Sequence, residues 1–127
     1  MSLQILHTPA LLLSLGLGTS LAHHAPAMYD TSTEQIIAGM VAAFEWIEPH
    51  TRVDIVVTEE DGTEVLWSLE GMTPSYLGRR GWTRDTLKQG DAIDVVFFAR
   101  KDGTNGGMFI RATLPDGSLK VMADIRR

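Results

Sequence analysis

The sequence predicts an all-β domain with one short helix. Three observations support this class: short segments rich in β-branched and aromatic residues, polar and apolar residues that alternate within them, and Asp-Gly turns between them. A helix start signal occurs at one place, where Thr73 precedes Pro74. The order of these elements predicts the topology.

Three predicted strands precede the helix. Residues 35–44 form a long apolar segment, with Gly39 as a bend or bulge. Residues 51–58 alternate polar and apolar side chains before they end in an apolar pair. The Asp-Gly pair at Gly62 provides the positive φ angles of a short hairpin, so residues 64–69 return as the third strand.

The predicted helix begins after Thr73 and is followed by further strands. Gly81 is placed to end the helix after about two turns. The strands after it are residues 92–99, 108–114 and 119–122. This element order is that of an OB-fold, a small Greek-key β-barrel with a helix between its third and fourth strands. The alternative that the same order allows is an open β-sandwich.

Residues 1–22 predict a signal peptide, which leaves residues 23–127 as a single OB-like domain. The segment contains no charged side chain, and its apolar run is far shorter than the ~20 residues of a membrane span. Ser20 and Ala22 are the small residues that signal peptidases require three and one positions before the cut. They place the cleavage site after Ala22, so that the mature chain would begin at His23. Cleavage after Ala27 is the alternative, and it would remove His23. Either site predicts a periplasmic or secreted protein.

The composition excludes several classes of function. The chain carries 16 acidic and 11 basic residues, a net charge of −5, which argues against nucleic-acid binding because that requires a positive surface. Without cysteine it forms no disulfide, thiolate metal site or iron–sulfur cluster. No apolar stretch after residue 22 is long enough to span a membrane, so we expect a soluble mature domain.

Three motifs carry a resemblance to a known family. They are His23-His24-Ala25 with Tyr29-Asp30, then Glu45-Trp46-Ile47-Glu48-Pro49-His50, and then Leu77-Gly78-Arg79-Arg80-Gly81-Trp82-Thr83-Arg84 with Leu87-Lys88-Gln89-Gly90-Asp91. The chain resembles a family of small exported bacterial proteins catalogued as a domain of unknown function. The resemblance implies export and a small β-barrel-like domain, but no activity. The chain departs from the family pattern at Glu48, where the family usually has Asn, and at Pro26, where it often has an aromatic residue.

The histidines form the first candidate site. A mature chain that begins at His23 carries an α-amino group and an imidazole on one residue, which can chelate a metal ion. His50 would provide a further nitrogen, or His24 in its place, and three nitrogen donors favour Cu(II). Glu48 would add a carboxylate or orient the His50 ring. The alternative is that the two adjacent histidines form a disordered terminus and His50 bonds to the backbone.

The second candidate site is the basic cluster of Arg79, Arg80 and Arg84 around Trp82. Arginine binds carboxylates and phosphates through two parallel hydrogen bonds and stacks on aromatic rings. The cluster therefore predicts a patch that docks a small anion or a periplasmic protein. The structural alternative is that Trp82 closes the end of the barrel while the arginines pair with neighbouring carboxylates.

The sequence contains no catalytic signature such as G-x-S-x-G, H-E-x-x-H or a phosphate-binding glycine loop. We therefore expect a non-enzymatic exported domain that binds copper or a similar transition metal through the mature N-terminal histidine. The alternative function is an interaction module that uses the arginine cluster. A metal-dependent enzyme is the least favoured hypothesis.

Overall fold

A computed structural model describes residues 26–125, and this part of the chain forms six strands and one α-helix. After a 3-10 turn at Pro26–Met28, the elements are β1 (Tyr29–Glu45), β2 (Arg52–Thr58), β3 (Glu64–Glu70), α1 (Pro74–Gly78), β4 (Ala92–Arg100), β5 (Gly106–Thr113) and β6 (Leu119–Val121). The predicted signal peptide and the histidines at 23 and 24 lie outside the described residues. The division between leader and mature domain therefore stays a prediction.

The strands of the described region close into a five-stranded barrel. β1 pairs antiparallel with both β2 and β4, while β2 pairs with β3 and β4 with β5. A parallel pairing of β3 with β5, from Ser68–Gly106 to Glu70–Met108, completes the closure. β6 extends the sheet beyond β5. The predicted OB-fold-like barrel is confirmed, and the closure excludes the open sandwich that we considered as its alternative.

β1 is longer than predicted and begins at Tyr29 rather than near residue 35. The polar residues 30–34 gave no apolar signal, but Glu34 pairs with β4, and residues 30–33 lie between it and Tyr29, which also pairs with β4. The bulge against β2 lies between Val41 and Ala43 and not at Gly39. A Cβ at Gly39 would lie 2.5 Å from the carbonyl oxygen of Val56, so this glycine instead allows the close approach of β1 and β2.

The helix begins as predicted and ends through a glycine. The side-chain oxygen of Thr73 accepts a hydrogen bond from the backbone N–H of Tyr76 at 3.2 Å. Gly81 has a φ of 81°, and the N–H of Trp82 after it donates to the carbonyl of Leu77 at 3.1 Å. This is a Schellman ending. The regular helix stops at Gly78, about one turn earlier than predicted, and the chain reverses at Gly81.

The barrel interior is aromatic and aliphatic. Phe97 and Phe109 are fully buried opposite each other on β4 and β5, and Trp67 packs edge-on against Phe97 with 5.4 Å between ring centroids. Leu77 of α1 and Trp82 after it join the same core. Among the described residues, no helix has the length and apolar character that crossing a membrane requires.

A matched pair of glycine substitutions tests this packing. A Cβ on Gly107 would lie 2.3 Å from the carbonyl oxygen of Phe98 and 2.6 Å from the ring of Phe97, whereas nothing lies within 4 Å at Gly78. Gly107→Ala should lower the free energy of unfolding by about 1–3 kcal/mol, since the core must shift to admit the methyl group. Gly78→Ala should raise the free energy of unfolding by about 0.4–1 kcal/mol, because alanine lowers the conformational entropy of the unfolded chain. Urea denaturation measures both; equal effects would contradict the described closure.

Candidate functional site

His50 lies in the loop between β1 and β2, directly after the cis peptide bond between Glu48 and Pro49. Its side chain is 31% exposed, and its Nδ1 lies 3.2 Å from the carbonyl oxygen of Gly71. A carbonyl accepts hydrogen bonds and cannot donate them, so this contact assigns the proton of the neutral ring to Nδ1. The lone pair of the ring is then on Nε2.

A carboxylate stands beside that nitrogen. Nε2 of His50 lies 3.6 Å from Oε1 of Glu70, the last residue of β3, and Oε2 of Glu70 accepts a hydrogen bond from the Tyr29 hydroxyl at 2.8 Å. Burial and the contact with Glu70 raise the pKa of the Tyr29 phenol from 10.0 to about 12. We refer to Tyr29, Glu70 and His50 as the His50 cluster. It joins the start of β1, the end of β3 and the β1–β2 loop.

A cavity of about 260 Å³ opens beside the His50 cluster. Its lining residues come from the β1–β2 loop, β2, β3 and the end of β4, and they are Ile47, Glu48, Pro49, His50, Thr51, Arg52, Ser68, Glu70 and Arg100. OB-folds bind their ligands on the face of strands 2 and 3, between the β1–β2 and β4–β5 loops. The cavity occupies this position.

The charged side chains around the cavity differ in their partners. Arg52 pairs with Glu45 at 2.7 Å and approaches Asp54 at 3.4 Å, and Asp54 accepts a hydrogen bond from Ser68. Glu48, the carboxylate that we predicted beside His50, lines the cavity but is exposed. The carboxylate that contacts His50 is that of Glu70. Sequence spacing did not indicate it, because the pairing of β2 with β3 brings it to this place.

The described residues do not complete a metal site by themselves. Within residues 26–125, no group of three His, Asp or Glu side chains is arranged to hold an ion. His50 and Glu70 are the two potential ligands that the cluster contributes. The predicted ligands His23 and His24 lie outside the described residues, so a complete site would draw on that part of the chain.

The predicted arginine site divides into buried and exposed parts. Arg79, Arg80 and Arg84 are exposed, but Trp82 is 3% exposed and donates from its indole nitrogen to the carbonyl of Val121 at 3.0 Å. The guanidinium of Arg80 stacks 3.5 Å from the centre of the Tyr76 ring. Trp82 therefore belongs to the core, as in the structural alternative, while the arginines form a solvent-exposed surface.

Replacing Tyr29 by Phe tests the hydrogen bond of the cluster. In the metal-free protein, Tyr29→Phe should lower the free energy of unfolding by about 1–3 kcal/mol, because the hydrogen bond from the phenol to a partly buried carboxylate is lost. Tyr76→Phe is the matched control, since the ring that carries Arg80 is kept. Urea denaturation followed by tryptophan fluorescence gives both values. Similar effects in the two variants would contradict a special role for Tyr29.

The raised pKa of Tyr29 predicts how the stability of the protein depends on pH, and Tyr29→Phe tests this prediction. The raised pKa of Tyr29 means that the folded state keeps a proton that the unfolded chain releases above about pH 10. The stability contributed by this hydroxyl should be complete below about pH 10 and should disappear as the pH rises to about 12. Tyr29→Phe should lack this part of the alkaline loss of stability. Parallel losses in the wild type and the variant would contradict the assignment.

Comparison with known proteins identifies the family. The model of a family described as "Family of unknown function (DUF6152)" matches residues 11–111, which include the His50 loop, Glu70 and the arginine cluster. No curated protein and no solved structure gave a significant match. Because the family match covers most of the sequence, the chain belongs to this family of unknown function.

Proposed function

We propose that this chain is an exported, non-enzymatic domain that binds Cu(II) at the His50 cluster, with His23 of the mature N-terminus as the chelating residue. One observation carries the proposal. Tyr29, near the start of the described chain, contacts Glu70, and Glu70 in turn lies against His50. The fold thus brings the N-terminal side of β1 to the loop histidine, which a shared metal site requires.

The covalent chain limits how far the N-terminal histidines can be from this cluster. The stretch between His23 and Tyr29 can span at most about 20 Å when fully extended. The Tyr29 hydroxyl contacts Glu70, so a connection of this length would allow a ligand from the N-terminal histidines to reach His50. Cleavage after Ala22 would make the α-amino group of His23 available for chelation.

The donor set matches the chemistry of Cu(II). When the His50 ring is neutral, its contact with the Gly71 carbonyl leaves the lone pair on Nε2, the atom that lies 3.6 Å from Oε1 of Glu70. Neighbouring donors of a tetragonal Cu(II) site, each about 2 Å from the ion, are about 2.8 Å apart. The observed separation of 3.6 Å therefore requires the two side chains to move closer when the ion binds. The Tyr29 hydroxyl donates to Oε2 of Glu70 and so fixes the orientation of this carboxylate, as hydrogen-bond partners of metal ligands do. Nitrogen-rich sites favour Cu(II) over the other divalent ions.

Docking of an anion or a protein at Arg79, Arg80 and Arg84 remains the alternative proposal. The stacking of Arg80 on Tyr76 holds one guanidinium in place beside a groove that also contains Lys120. It has less support than the metal site, because Trp82 is in the core and cannot offer its ring to a partner.

The test begins with the processed protein. Intact mass and N-terminal sequencing of the exported chain should give His23 as the first residue, and equilibrium dialysis should show one Cu(II) per chain. His50→Ala should lower the affinity at least tenfold, because a nitrogen ligand is lost. Glu70→Gln should lower it by about 10–100-fold. Glu48→Gln is the matched control, since that carboxylate is exposed on the same cavity.

Two results would contradict the proposal. One is a mature chain that begins at Met28, since it would lack both N-terminal histidines. The other is a wild-type affinity for Cu(II) in His50→Ala. An extension by one residue before His23 should also abolish tight binding, because it removes the chelating α-amine from the histidine.

A further inference from the structure

A groove of about 900 Å³ crosses the outer face of the barrel, and it shares no lining residue with the cavity at His50. Its lining residues come from the strands β1 to β5 and from the loops that precede β4 and follow β5. Most of these residues are exposed, so this part of the sheet faces solvent rather than another element of residues 26–125.

Apolar side chains stand in a row across this face. Met40 on β1 pairs with Val56 on β2, and Val56 pairs with Leu66 on β3. Met40 is 54% exposed and Leu66 is 56% exposed. Ile36, four residues before Met40 on the same side of β1, is 70% exposed and extends the apolar surface. We refer to these four residues as the outer apolar face; contiguous exposed apolar surface of this kind marks an interaction site.

The charged residues that line the groove are all acidic. They are Glu64 on β3 and Asp94 on β4, and the lining contains no lysine, arginine or histidine. Both carboxylates are exposed, and neither forms an ion pair with another residue of the described chain. The arginine of β5, Arg111, is already paired with Glu34 at 2.7 Å. The groove therefore combines an apolar floor with two carboxylates whose charge is not compensated.

These properties decide between the possible occupants. A small molecule would leave much of its surface in water in so open a groove, whereas small-molecule pockets bury most of their ligand. A second copy of this chain would bring its own Glu64 and Asp94 to the same surface, and chains with a net charge of −5 repel one another. A partner with positive charges beside apolar side chains matches both properties of the groove.

We propose that the outer apolar face docks an amphipathic segment of another protein, whose apolar side chains are flanked by lysine or arginine. The apolar side chains cover Met40, Val56 and Leu66, and the basic groups pair with Glu64 and Asp94. This interaction goes beyond the metal-binding proposal, because it uses a different face of the barrel and needs neither a metal ion nor the N-terminal histidines.

The experiment uses the folded mature chain in the presence of a chelator, and the probe is a synthetic amphipathic peptide of leucine and lysine that carries a fluorophore. Fluorescence anisotropy should show saturable binding, and the same peptide with glutamate for lysine should bind at least tenfold more weakly. The double variant Met40→Thr/Leu66→Thr should weaken the affinity at least tenfold, because threonine keeps the strand preference but removes apolar surface. Leu119→Thr on β6 is the matched control, since Leu119 is 58% exposed and lies outside the groove.

The charges are tested separately from the apolar surface. Glu64→Gln/Asp94→Asn should weaken binding of the lysine peptide several-fold and should reduce its dependence on salt. Asp85→Asn is the control, because Asp85 is exposed and does not line the groove.

Three results would overturn the proposal. The first is equal affinity for the lysine and glutamate peptides, and the second is wild-type affinity in Met40→Thr/Leu66→Thr. The third is a dimer in sedimentation that the same double variant dissociates, since the face would then belong to a second copy of the chain. These residues lie outside the His50 cavity and no metal is present, so the outcome is independent of the Cu(II) measurements.

Discussion

β3 and β5 pair in parallel over a short stretch, from Ser68–Gly106 to Glu70–Met108, and this contact turns the sheet into a closed barrel. The pairing requires glycine on β5, because a Cβ at Gly106 or Gly107 would collide with backbone oxygens of the neighbouring strands. The closure fixes the end of β3 and the end of β4 on the two sides of the start of β5. The candidate site depends on this arrangement, since Glu70 and Arg100 belong to these two strand ends.

Closure also explains why the site assembles from distant parts of the sequence. Tyr29 starts β1, His50 follows the end of the same strand, and Glu70 ends β3. The length and curvature of β1 let its first residue lie beside β4 while its last residues pair with β2. A contact such as that between Tyr29 and Glu70 therefore links the N-terminal side of the barrel to the β1–β2 loop.

The fold was predictable from local signals. The Thr73 cap, the turn glycine at Gly62 and the alternation within β2 each act over a few residues, and together they gave the element order of the barrel. The start of β1 was missed, because residues 30–34 are polar and take their strand conformation from a tertiary context. Trp82 could be read either as a binding surface or as a core residue, and its burial is decided by packing that spacing does not encode.

The candidate site was only partly predictable. His50 was identified because it is the one histidine of the sequence that follows His24. Glu48 was chosen as its carboxylate on the basis of sequence proximity, whereas Glu70 reaches the ring through strand pairing. Arg100 gave no signal at all, since its place beside the cavity follows from the position of the end of β4 in the closed barrel. Ligand sites on a barrel join strand ends, and a linear motif cannot indicate which ends meet.

A crystal structure of the processed protein loaded with copper tests the central claim most directly, because anomalous scattering locates the metal without assumptions about its ligands. The account predicts one copper ion about 2 Å from Nε2 of His50, with the amino group and ring of His23 as further ligands. Copper bound away from the β1–β2 loop, or at His23 without His50, would contradict it.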